Sequence, residues 1–368
     1  MEIKSSTDMK KTIYIISLFA LSLLAAGCYP DYVEDFDHTA VYMAYQYDLR
    51  TFVLGEDESF KVGVTLGGTI SNGMDRKVCV ELDDALVDGD LSQFETYDAQ
   101  SEDGNGGIVP FTAFDGMMGK APVGTLINSY VTNEMNAMPV GFSALKPLPS
   151  TYYTVVGDPS GLVIGKGAHT ATLTIKANTE ALTADARTVQ PYFALGFKIT
   201  KADADTVLRD KSFEIIAVKY ENRFFGNWYH SGKAVTVDNA SGSKLDELVY
   251  TGTVPQAESD LYVLSTVAAS TVRTNRISYG QVEGQLDLTF DGDEITVTDP
   301  FGVLAIKSNG DGSYFNRAKL LQDRKLFLNY KFDNGNGSTT IVTDTLTFRN
   351  RVRDGINEWQ DENPEHYE

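Results

Sequence analysis

The sequence predicts an all-β protein: an antiparallel sandwich followed by an up-and-down antiparallel barrel. Three observations carry this reading. Apolar residues alternate with polar ones over short runs, Gly, Asn and Asp clusters separate the runs, and the second half has no alternating strand–helix pattern. The clearest run is Phe60, Val62, Val64 and Leu66, interleaved with Lys61, Gly63 and Thr65. Period two gives that strand one buried face. Gly67-Gly68 closes it, and a second run spans 77–82.

Between Asp83 and Ser150 the alternation lapses. Asp103-Gly-Asn-Gly-Gly is turn chemistry, and Leu126, Ile127, Tyr130 and Val131 recur at helical spacing, which predicts a short helix. Strand runs resume at 152–154, 162–164, 172–176, 192–199 and 213–218. Short strands divided by turn residues suggest a sandwich. Lys219 to Arg223 reads as a polar break. Beyond it, runs recur at 248–253, 261–267, 276–279, 285–290, 294–298, 303–306, 325–332 and 339–348. Asp291-Gly292, Asn309-Gly-Asp-Gly312 and Asp333-Asn-Gly-Asn-Gly337 join them as hairpin turns. Roughly eight or nine strands in about 140 residues suit a barrel. The tail, 354–368, is acidic and polar and reads as a short helix or a loose end.

A chain of 368 residues is comfortable for two modules. With 42% apolar and 22% charged residues it is not a disordered polymer. Its formal charge of -20 excludes nucleic acid and anionic membrane faces as partners, because each phosphate contact needs Lys or Arg. Cys28 and Cys79 are the two cysteines, and no disulfide framework is expected. Cys79, between Val78 and Val80, reads as a buried structural thiol.

The front end carries an address. Lys10-Lys11, an apolar stretch over 13–24, and Ala25-Ala26-Gly27-Cys28 have the layout of a secretory signal. The stretch is shorter than the about 20 residues a membrane span needs. Met9, just before Lys10, is the better natural start. Ala25 to Cys28 resembles the lipobox of bacterial lipoproteins, in the relaxed form common in Bacteroidetes, with Ala25 where Leu is usual. That resemblance implies removal of 1–27 and lipidation of Cys28. The acidic run after Tyr29-Pro30 resembles the surface-export signal of such lipoproteins, which implies an outward-facing outer-membrane protein on a tether at 28–38.

Two further resemblances concern the modules. Leu54-Gly55-Glu56, Phe60 to Gly68, Leu148-Pro149-Ser150-Thr151-Tyr152-Tyr153-Thr154 and Val163-Ile164-Gly165-Lys166-Gly167 come in that order. Thr172-Leu173-Thr174-Ile175, Tyr192 to Ile199 and Lys201-Ala-Asp-Ala-Asp205 follow. The series resembles the N-terminal module of Bacteroidetes glycan-utilisation lipoproteins, the domain of unknown function 1735. It implies an Ig-like β-sandwich over 39–220. Gly226-x-Trp228 resembles the opening of lipocalin-like (calycin) barrels. Over 224–353 that implies Trp228 plugging one barrel end beneath Arg349 or Arg351.

No catalytic constellation is present. His38, His169, His230 and His366 lack metal-ligand spacing, and there is no Cys-x-x-Cys, nucleophile elbow or phosphate loop. Carboxylates number 51, so pairs such as Asp203 with Asp205 arise by chance. Asn309-Gly-Asp311-Gly-Ser313 opens like a cation loop, but Tyr314 and Leu320 stand where Gly and Glu are needed, so it reads as a turn. No catalytic residue, metal or cofactor is therefore expected. Aromatic residues make up 11% of the chain and offer rings for sugar stacking. The ligand candidates are Trp359, Tyr229, Trp228 and Tyr152, with Tyr42, Tyr45, Tyr47 and Tyr153 behind them. Core packing is the alternative for Trp228, and cross-strand packing for Tyr45 and Tyr47. The expected function is a non-catalytic surface lipoprotein that binds carbohydrate for an outer-membrane glycan importer. A structural or adhesive, fimbrillin-like role is the rival, and an enzyme with an unrecognised site the third reading.

Overall fold

A computed structural model describes residues 38–88, 97–98, 108–109, 146–251, 261–279 and 282–361. Cys28, the signal segment and the helix expected at 126–131 lie outside them. The first strands are β1 (Ala40–Met43), β2 (Tyr47–Leu54), β3 (Ser59–Gly67) and β4 (Arg76–Leu82), followed by helix α1 (Ala85–Asp88). The short β5 (Tyr97–Asp98) and β6 (Ile108–Val109) pair with each other. Then come β7 (Lys146–Pro147), β8 (Tyr153–Val156), β9 (Leu162–Ile164), β10 (Thr170–Ala177), helix α2 (Thr179–Thr183), β11 (Phe193–Ala202), β12 (Thr206–Val207) and β13 (Phe213–Asn222).

These form a sandwich. One sheet runs β12-β1-β3-β10-β8, and the other β2-β13-β11-β4-β9 with β7 added beside β11. Antiparallel pairs dominate, while β1 with β12, β2 with β13 and β7 with β11 pair parallel. The alternation in β3 does what period two requires. Val62, Val64 and Leu66 are buried, and pack in one core with Val78, Phe197, Ile216 and Tyr220. Cys79 is the odd member of its run and therefore faces away from Val78 and Val80. It is half-exposed rather than buried, and its thiol donates to the Ser160 carbonyl at 3.1 Å.

The second half contains β14 (Gly226–Asp238), β15 (Lys244–Tyr250), β16 (Tyr262–Ala268), β17 (Thr271–Thr274), β18 (Asp287–Asp291) and β19 (Glu294–Thr298). It ends with β20 (Lys307–Ser308), β21 (Ser313–Phe315), β22 (Lys325–Asp333), β23 (Ser338–Arg353) and β24 (Ile356–Glu358). The order β14-β16-β17-β18-β19-β21-β22-β23 returns to β14, so eight antiparallel strands close a barrel. Closure rests on β14 pairing with β23 from Asn227↔Asn350 to Asp238↔Ser338. Gly226 permits it. At φ 127° a Cβ there would stand 2.7 Å from Arg351 Cβ. Trp228, Leu264, Leu288, Leu328 and Leu346 fill the interior.

Several sequence expectations change. Lys219 to Asn222 is no break: it is the end of β13, buried along its whole length. The Lys219 ammonium meets Glu221 at 2.5 Å, and Glu221 also accepts from Thr266 on β16. Residues 276–279 form only an isolated bridge, Ile277 with Val282, because Ser278 sits at φ 48°. Residues 303–306 are not a strand. The Asp299 carboxylate accepts from the Phe301 and Leu304 amides at 2.8 and 2.5 Å and holds a turn. Part of the tail is the strand β24, paired antiparallel with β23. Trp228 is fully buried in the barrel core, edge-on to Phe348 at 5.4 Å. Arg351 sits 5.1 Å over the Phe225 ring, and Arg349 donates to Asn350 at 3.3 Å.

The sandwich and the barrel share a buried ionic junction. Glu56, in the β2–β3 turn, meets Arg324 at 2.5 Å and Arg351 at 2.8 Å. Although burial opposes ionisation, the two guanidiniums hold its carboxyl below the usual range. Thr51 on β2 donates to Asp354 at 2.6 Å, and Asn222 donates to the Ala269 carbonyl at 2.8 Å.

Candidate functional site

The barrel wall is incomplete where β19 meets β21. Along β18, β19 pairs at all five residues, but along β21 only at Glu294↔Tyr314 and Ile295↔Ser313. The chain from 307 to 312 explains the gap. β20 pairs with β22 instead, at Lys307↔Lys331 and Ser308↔Tyr330. An Asx turn then reverses the chain, the Asn309 side chain accepting from the Asp311 amide at 2.9 Å. Asn329 pins this turn by donating to the Gly312 carbonyl at 2.8 Å.

The result is an open groove of about 1030 Å³ between β19 and β20. Its volume lies at the top of the range usual for small-molecule sites. Tyr314 stands at its edge, 47% exposed. Phe327, directly across the strand pair, stacks on it with ring centroids 4.7 Å apart and planes at 22°. The tyrosine ring is thus fixed from behind and open in front. Glu294, Thr296, Thr298, Lys307 and Asp311 line the groove. Acceptors, donors and both charge signs are mixed there, which suits a hydroxyl-rich neutral molecule better than an ion.

The candidates named from the sequence do not converge on this groove. Trp228 is fully buried, its Nε1 donating to the Phe224 carbonyl at 3.2 Å, so it is corrected from ligand candidate to core residue. Tyr229 is its neighbour on the opposite face of β14 and is half-buried. Tyr152 lies in the sandwich, donates to Asp185 at 3.1 Å and meets Phe193 edge-on at 5.9 Å. Trp359 follows β24 and is 59% exposed. Tyr314 was missed because only its backbone position in a cation-like loop drew notice. The signal for it was Ser313-Tyr314-Phe315, where period two sends the middle ring outward.

A second constellation fills one end of the barrel interior. His230 Nε2 lies 3.2 Å from Asp344 Oδ1, and the Tyr250 hydroxyl donates to the same carboxylate. The Tyr250 hydroxyl also stands 3.1 Å from Ser278 Oγ, while the Tyr330 hydroxyl accepts from the Ser278 amide at 3.0 Å. Burial first, then the Asp344 charge, pushes the Tyr250 and Tyr262 hydroxyls far above their ordinary range. Ser, His and Asp thus share one interior, but Ser278, His230 and Asp344 are all buried from solvent. With its members facing each other across the barrel, the network acts as a polar core that fixes strand positions.

No protein-family profile matches the chain, and neither does any curated protein. Solved structures do. A structural-genomics protein of unknown function from Bacteroides ovatus superposes with a TM-score of 0.58 at 16% identity, covering 89% of this chain and 98% of that one. At that identity the likeness is one of fold. A multidomain protein including DUF1735, also from Bacteroides ovatus, matches with a TM-score of 0.38 at 11% identity over 87% of this chain and 100% of that one.

Proposed function

We propose that this protein is a non-catalytic, surface-displayed glycan-binding protein, and that a sugar ring lies on Tyr314 in the barrel groove. The observation that carries the reading is the Tyr314 ring, held by Phe327 and presented beside the polar side chains that line the groove. Sugar C–H faces stack on such rings, and the hydroxyls are met by side chains like Thr296, Thr298 and Asp311. The lipobox-like Ala25 to Cys28 supports anchoring in the outer membrane, and the bound glycan would pass to an importer there. Affinity electrophoresis on gels cast with neutral polysaccharides tests the site. At least one glycan should retard the wild type, and Tyr314→Ala should lose about ten-fold or more in affinity. Equal retardation of both forms, or none by any glycan, would refute the placement.

One observation favours the adhesive alternative. Val156 on β8 and Val163 on β9 are exposed on strands that form sheet edges, where another chain could add. Concentration-dependent polymerisation in light scattering, abolished by Val163→Lys, would move the balance to that reading.

A further inference from the structure

A second concavity lies at the junction of sandwich and barrel, with a volume of about 600 Å³. In a chain with a formal charge of -20, its charge runs the other way. Arg223, Arg317, Lys319 and Arg324 line it, against the carboxylates of Glu56 and Asp293. Both carboxylates are already engaged. Glu56 is shared by Arg324 and Arg351, and Asp293 pairs with Arg317.

Arg223 is left over. Its guanidinium lies 4.8 Å over the Phe224 ring and 5.3 Å over the Phe315 ring. It makes no hydrogen bond or ion pair among the described residues. Its backbone carbonyl accepts from Arg324 at 3.1 Å, so main chain and side chain are both held in place. Burial first, then the adjacent Arg324 charge, lowers its pKa from the usual arginine value. A half-buried cation stacked on two rings, with its fork of donors unused, is a poor arrangement for stability and a good one for an oxyanion. At the same cleft, Arg317 holds φ 60°, a conformation uncommon outside glycine. Such strain gathers where a side chain must be presented in one direction.

We infer that this cleft binds the carboxylate or sulfate of a small acidic molecule, with Arg223 as the bidentate partner and Arg317 at the rim. The concave shape and size suit a compound of one or two rings, such as an acidic sugar. The assignment is independent of the Tyr314 groove.

Isothermal titration of the full chain with glucuronate, glucose 6-sulfate and glucose tests it. One or both acidic sugars should bind, glucose should show no binding that Arg223→Gln removes, and the preferred acid identifies the oxyanion. Arg223→Gln should weaken that binding at least ten-fold, Arg317→Gln about three-fold, and Tyr314→Ala not at all. Circular dichroism melting checks that each variant is folded. Should Arg223→Gln fail to fold, Arg317→Gln decides, since its side chain is 79% exposed. No binding of either acid overturns the inference, as does binding that both arginine variants leave unchanged.

Discussion

Glu214 shows how one residue can set a pH response. It is buried beside Asp48, and desolvation first, then the Asp48 charge, raises its pKa from 4.5 to about 8, with Arg50 opposing. Between those two values the folded chain holds a proton that the unfolded chain has lost. Stability must therefore fall as pH rises through that window, and be free of the penalty below it. At about 1.4 kcal/mol per pKa unit the full effect is at most a few kcal/mol. Asp48 and Asp354 are raised as well, each by burial first, and add in the same direction. Urea unfolding at pH 5 and pH 8 should show a loss for the wild type that Glu214→Gln largely removes. Parallel behaviour of the two proteins would show that Glu214 ionises freely in the fold.

At the scale of elements, alternation made much of the chain legible. The strands at 60–66, 77–82, 294–298 and 325–332 were readable because each has one wet and one dry face. Misreadings arose where a single contact overrules local pattern. Ser278 at positive φ ends what looks like a strand, and the Asp299 carboxylate coils 301–304 into a turn. Lys219 and Glu221 read as a polar linker because their mutual pairing, and the bond Glu221 accepts from Thr266 45 residues later, have no local trace. The groove was hidden for a like reason, since it exists through the choice of β20 to pair with β22. Glu56 is the clearest case. One carboxylate in a β2–β3 turn is buried against arginines 268 and 295 residues later. Removing one partner of a buried pair costs about 3–5 kcal/mol. Glu56→Gln should lower unfolding free energy by that amount, because it leaves Arg324 and Arg351 without their shared anion. A drop under about 1 kcal/mol would mean that solvent already screens the junction.

For the whole molecule, the proposed anchor has its own test. Cys28→Ser should move the protein from the membrane fraction to the soluble fraction, and globomycin should leave a larger precursor. If size and partitioning stay the same in both experiments, the lipoprotein reading is wrong. The barrel and the ionic junction bear on how such a chain is made. β14 meets its partner on β23 across more than a hundred intervening residues, and β2 waits similarly for β13. At a ribosomal pace of about 5–20 residues per second, the interval between Asn227 and Asn350 is roughly 6–25 s. Throughout that delay the greasy staves around Trp228 have no hoop, so a holding chaperone has a fixed and calculable span in which to act.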